Sequence, residues 1–115
     1  MPTIKIPQNI VIVDQNGAPV KDPNGNRVEV SFVRDFILST VINDAKFGKD
    51  LRGLYASMDI NEAFKNAKAG DKILVSQDLW LRLKDVVSEP SSVYNVPVMR
   101  QCKVFFNAVL EPDNG

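Results

Sequence analysis

The segment 49–68, KDLRGLYASMDINEAFKNAK, carries two apolar stripes at helical period. Leu51, Leu54, Tyr55 and Met58 follow i, i+3, i+4, i+7; Ala56, Ile60, Ala63, Phe64 and Ala67 repeat that spacing on the opposite side. A helix lying on a protein surface needs only one such stripe. Two stripes predict a central helix with other elements packed on both faces, and the rest of the chain must supply those elements. Gly53 falls in its first turns, where it costs up to ~1 kcal/mol relative to alanine and where a missing side chain permits close helix approach. Asp59 and Glu62 also fit a capping box, which leaves open a break into two short helices at Asp59. The common phase of both stripes favours a single helix.

Candidate covers lie on either side. Ser31 is placed to cap a helix over Phe32–Asp44, apolar around most of its circumference as in a buried helix. Asn43 to Gly48 reads as its stop and loop. After Ala69-Gly70-Asp71 ends the striped segment, Lys72–Val75 is a short extended piece, and Ser76 caps Gln77–Ser88. Leu79, Trp80, Leu83, Val86 and Val87 share one face of that helix, while Leu81 sits among Gln77, Asp85 and Ser88 on the polar one. Val93 and Tyr94 are expected to tuck into the core. Pro97 opens a last helix, Val98–Leu110, with Cys102, Phe105 and Val109 on its spine. Residues 111–115 read as a flexible, frayed tail.

The first thirty residues are different. Met1–Gln8 alternates Ile4 and Ile6 between two prolines, which predicts an extended arm or an edge strand. It either lies along its own domain or reaches a neighbouring subunit. Ile10–Val13, the turn signals Asn16-Gly17 and Pro23-Asn24-Gly25, and the alternating Arg27–Val30 predict a small β-meander or one irregular hairpin. A two-stranded ribbon is marginal alone, so it must lean on the helices or on a partner. No internal repeat, low-complexity tract or linker stands out. The expected fold is mainly α (α+β): one compact four-helix domain over 31–110 with a central two-faced helix and an N-terminal hairpin and arm over 1–30.

Composition limits the chemistry. Fourteen basic and fourteen acidic residues cancel, without the excess of Lys and Arg by which duplex-binding domains release phosphate counterions. Nucleic acid is therefore not the expected partner; Arg82, Lys84, Arg100 and Lys103 would form a patch only if the last two helices bring them together. The chain has no histidine and a single cysteine, Cys102, which removes Cys/His zinc sites and Ser-His or Cys-His nucleophilic mechanisms. The start lacks the basic and apolar regions of a secretory signal. No apolar run approaches the ~20 residues that span a bilayer. A reducing, cytoplasmic setting is the simplest expectation.

No residue set identifies a reaction. The acids Asp44, Asp50, Asp59, Glu62, Asp71, Asp78 and Asp85 are spread over helix ends and polar faces rather than converging as a hydrolase needs. The glycine turns lack the Lys-Ser/Thr of a phosphate-binding loop. Cys102, on an apolar spine, reads as a buried and inert small hydrophobe. No catalytic, cofactor-binding or metal residue is assigned, and no cofactor is implied. Candidate interface residues are Ile4 and Ile6 on the arm, Leu81 as an apolar residue on a polar face, and Trp80, although core packing is the favoured reading of Trp80 and of the Phe105-Phe106 pair.

From Val30 to Pro112 the order of segments resembles a group of small proteins encoded by tailed bacteriophages. The likeness runs through an apolar helix (VSFVRDFILSTVIND), a Gly-and-charge lead into a Leu/Tyr/Ala/Ile helix (FGKDLRGLYASMDINEAFKNAK), a short extended piece with a capping residue (ILVSQDLWLRLKDVV), and a Tyr/Val/Pro segment entering a last helix that closes in Leu-Glu-Pro (VYNVPVMRQCKVFFNAVLEP). It covers about three-quarters of the chain and includes no catalytic signature; the β-rich N-terminal part departs from it. The resemblance implies a phage origin and a non-enzymatic role through protein–protein contact. The expected setting is a minor virion or assembly component, in the particle or the host cytoplasm, with a protein partner or self-association into a homo-oligomer. The alternative it leaves is a small cytoplasmic regulator that binds a host protein or nucleic acid.

Overall fold

The computed structural model describes residues 2–48, 50–89 and 100–114. The chain is α+β. Its termini meet in an antiparallel three-stranded sheet. Strand β1 (Pro2–Lys5) lies in the middle, between β4 (Lys72–Leu74) and β5 (Asp113–Asn114). Thr3 faces Leu74 on one side and Asp113 on the other. Two expectations change here. The N-terminal segment lies along its own domain and does not reach a neighbour, but as a central strand and not an edge: both edges are paired, and Ile4 and Ile6 are buried. Pro2 is tolerated because it is the first residue of its strand, and its carbonyl accepts a hydrogen bond from Val75 N–H. The expected frayed tail is replaced at Asp113–Asn114 by β5, whose backbone groups β1 satisfies.

Between β2 (Ile10–Val11) and β3 (Glu29–Val30), which pair antiparallel, the chain branches. Ile12 N–H donates to Val28 O (3.0 Å), Val28 N–H to Val20 O (2.9 Å), and Val20 N–H to Ile12 O (2.9 Å). This closed ring of three backbone bonds joins the β2–β3 ladder to two tight turns. In one turn Asp14 Oδ1 accepts from Asn16 and Ala18 N–H; in the other Asp22 Oδ1 accepts from Asn24 and Asn26 N–H. Gly17 (φ 81°) and Gly25 (φ 82°) supply the left-handed residue each turn needs. The expectation of no internal repeat is thus corrected. Asp-x-Asn-Gly occurs twice, eight residues apart, with the same hydrogen bonds. The lobe is tied down by Gln101, whose side-chain amide accepts from Val13 N–H (2.9 Å) and donates to Val13 O (3.0 Å), as a neighbouring strand would.

Phe32–Val41 is helical, but wound as a π-helix. Phe36 N–H donates to Ser31 O, and Ile42 N–H to Ile37 O, five residues back in each case. Ser39 and Thr40 hydroxyls reach carbonyls at the same interval. The wider turn moves the capping pair. Ser31 Oγ accepts from Arg34 N–H, while Ser31 N–H donates to Asp35 Oδ2 (2.7 Å), one position later than in an α-helical capping box. Phe32, Val33, Phe36, Ile37 and Val41 are buried. Phe32 and Phe36 build an aromatic cluster with Phe64, Phe105 and Phe106, with ring centroids 5.0 to 6.4 Å apart. Such edge and tilted contacts add to area burial, and they assign Phe105 and Phe106 to the interior.

Among the described residues, three further α-helices are bounded: α1 (Leu51–Phe64), α2 (Gln77–Ser88) and α3 (Lys103–Leu110). The striped segment is one unbroken helix, capped by Asp50. Gly53 does permit a close approach, but by a turn rather than a helix. A Cβ there would lie 2.1 Å from Gly48 O, at the end of the 3-10 turn Ala45–Phe47. Ser76 caps α2 as expected. Leu83, Val86 and Val87 are buried, with Leu79 and Trp80 packed at the core margin. The last helix is interrupted: Arg100 and Gln101 are helical, Cys102 leaves the ladder, and Lys103 resumes it. The stop at Pro90–Ser92, Val93, Tyr94, the start at Pro97 and the following Val98 and Met99 lie outside the described residues.

Candidate functional site

The position of α1 decides where the molecule keeps apolar surface. Its inner face, Gly53, Ala56, Ile60 and Phe64, is buried against the π-helix. Its outer face is uncovered: Leu51, Leu54, Tyr55 and Met58 are 61, 54, 57 and 58% exposed. The helix is therefore not central, contrary to what two stripes predict. The other expected covers pack elsewhere. Helix α2 lies on α3, on the π-helix and on the 3-10 turn, so the two amphipathic helices satisfy each other and not α1. Roughly a few hundred Å² of apolar surface remains on this face, the size of the largest patch on a typical monomer, which is often functional.

Two shallow grooves border this face. One, about 440 Å³, is lined by Gly48, Asp50, Leu51, Leu54 and Ser57. The other, about 660 Å³, is lined by Lys46, Arg52, Asp78, Leu81, Arg82 and Asp85. Leu81 is 48% exposed there, an apolar residue among charges as the sequence indicated. Arg82 is committed internally. Its guanidinium donates to Phe47 O and lies 5.6 Å from the Phe47 ring centroid. Arg52 and Asp59 are exposed, and among the described residues no ion pair within the chain holds either.

The other candidates divide cleanly. Ile4 and Ile6 belong to the core and offer nothing to a partner. Trp80 is half-buried, with its indole N–H donating to Val109 O (2.8 Å) and Lys84 Nζ 4.9 Å from the ring centroid. Its polar end and one ring face are thus used inside the chain. Of the four basic residues considered as a patch, Arg82 and Lys84 each make a contact within the chain.

Among the described residues, chemistry-bearing groups do not converge. Among the described residues no cluster of three His, Cys, Asp or Glu side chains is placed to hold a metal. Cys102 is fully buried; burial pushes its thiol up, and the Asp35 carboxylate adds to that. A raised thiol pKa disfavours the nucleophilic thiolate. Asp35 itself is held below the usual carboxylate range, chiefly by its hydrogen bond from Arg34, against the opposing effect of burial and with help from Ser31 N–H. Asp44, buried, accepts from Lys46 N–H and caps the 3-10 turn. These are structural roles. Among the described residues no helix is long and apolar enough to cross a membrane.

Comparison with protein-family models, with curated proteins and with solved structures finds no match for the chain. The site rests on its own geometry. Sequence reading named all four outer-face residues of α1 but gave them to the core; the missing information was the number of helices free to cover them.

Proposed function

We propose that this chain is a non-enzymatic protein that works by contact with other protein, through the outer face of α1. One observation carries this reading: Leu51, Leu54, Tyr55 and Met58, consecutive on one helix face, stay more than half exposed in a chain whose other helices pack on each other. Burying such a stripe against another surface returns about 25 cal/mol for each Å² removed from water. The resemblance of residues 30–112 to small tailed-bacteriophage proteins directs the proposal to a minor component or assembly factor of a phage particle. The arm built on Ile4 and Ile6 has no part in it.

Site-specific photo-crosslinking tests the proposal in the cells that natively produce the protein. A photoreactive residue replacing Met58 should give discrete protein adducts, whereas one replacing Leu74, which is 62% exposed on β4, should give none. Equal labelling at both positions, or no adduct at Met58, would overturn it.

A further inference from the structure

Resting on that contact reading, we infer that the partner of the α1 outer face is a second copy of this chain, with the two α1 helices antiparallel about a two-fold axis that passes between Leu54 and Tyr55. The spacing is self-complementary. In that register Leu51 of each copy lies opposite Met58 of the other, and Leu54 opposite Tyr55, so all four apolar side chains of both copies meet across the axis. An antiparallel helix pair also aligns opposed dipoles.

Charge supports the same pairing. Arg52 stands near the N-terminal end of the face and Asp59 beyond its middle, on the same flank. A two-fold axis of this kind keeps that flank on one side for both copies. Arg52 of each copy then comes within side-chain reach of Asp59 in the other. Glu62 lies one turn further on, already paired with Lys65 at 2.9 Å. A two-fold axis parallel to the helices would instead carry Arg52 and Asp59 to opposite flanks of the two copies, where they do not meet.

The surface is also of fitting size for a weak dimer. The helix is 14 residues long, and its exposed stripe falls short of the roughly 800 Å² per partner of a standard stable interface. Self-association should therefore be reversible, with a dissociation constant on the order of 10 µM.

Light scattering on the purified chain reads this directly. The mass should rise from the 12.8 kDa monomer toward twice that value between roughly 1 and 300 µM protein. Leu54→Arg should weaken association more than about 100-fold. Arg52→Asp alone should weaken it about tenfold through two symmetric pairs, and adding Asp59→Arg should restore it to within about threefold. Should a variant fail to fold, cysteine pairing provides an independent measurement. Leu54→Cys, next to the axis, should oxidise to a covalent dimer at least about tenfold faster than Leu74→Cys, while buried Cys102 stays silent. A chain that remains monomeric throughout, or equal oxidation rates at positions 54 and 74, overturns the homodimer. Adducts at Met58 to a different protein would then leave the contact reading standing; absence of both removes both.

Discussion

The inner and outer faces of α1 carry matching apolar patterns and meet opposite fates. Ile60 and Phe64 are fully buried on one side, and Leu51 and Met58 are about three-fifths exposed on the other. Helical period assigns a residue to a face, but burial needs a second element free to lie on that face. Here the π-helix covers one side, and α2 and α3 are occupied with each other. Equal truncations on the two faces must therefore have very unequal consequences. The largest should come from Phe64→Ala. Phe64 packs 6.4 Å from Phe32, centroid to centroid, with no exposure, so its loss should cost about 3–5 kcal/mol through transfer and cavity effects. Urea unfolding checks this; a cost below about 1 kcal/mol would mean that the inner face is not a packed core.

Gly53 sharpens the contrast from the backbone. Alanine is normally the better helix residue by up to ~1 kcal/mol. At this position the added Cβ meets Gly48 O at 2.1 Å, Gly48 C at 2.4 Å and Gly48 Cα at 2.8 Å, all backbone that cannot rotate aside. Gly53→Ala should therefore destabilise the chain by about 2 kcal/mol despite the propensity gain. A stabilising result would show that the 3-10 turn does not seat on the start of α1.

Much of the fold was legible because it depends on local chemistry. Ser31, Ser76 and the two Asn-Gly turns act where they stand, and the structure uses each of them for the backbone groups nearest to it. What escaped was long-range. Nothing near Pro2 indicates that residues 72–74 and 113–114 will flank it and turn a presumed arm into a central strand. Nothing in Gln101 announces an amide that closes on Val13, 88 residues away. The π winding escaped for another reason: apolar residues around most of a circumference fit several helical periods. The contact surface was half-legible. Leu81 was read as exposed from its polar neighbours, whereas the α1 stripe was read as buried because coverage was assumed.

The π-helix that covers the inner face gives a pH-dependent test of smaller size. The carboxyl of Asp35 titrates below its ordinary range in the folded chain. Its folded pKa lies beneath the unfolded one, so the linked stability is complete above about pH 4 and is lost as pH falls through the lower folded value. Asp35→Asn should cost about 0.5–1 kcal/mol at neutral pH, since the group is partly exposed and screened. It should also flatten the acid limb of the stability profile. An unchanged limb would mean that the Arg34 and Ser31 contacts do not hold the start of this helix.

The smallest effect on stability is expected on the outer face, and it separates folding from contact most clearly. Met58→Lys exchanges two residues of nearly equal helix propensity at a position 58% exposed and opposite the buried stripe. The urea midpoint should shift by less than about 0.5 kcal/mol, because little apolar surface is uncovered that was not already wet. Yet in the proposed dimer the same change would place a charge opposite Leu51 of the second copy, so self-association should be lost while the fold is kept. A loss of stability above about 1 kcal/mol would show instead that the outer stripe is covered in the folded monomer. The two faces of α1 would then be alike, and the contact surface would have to be sought at Leu81 and its charged groove.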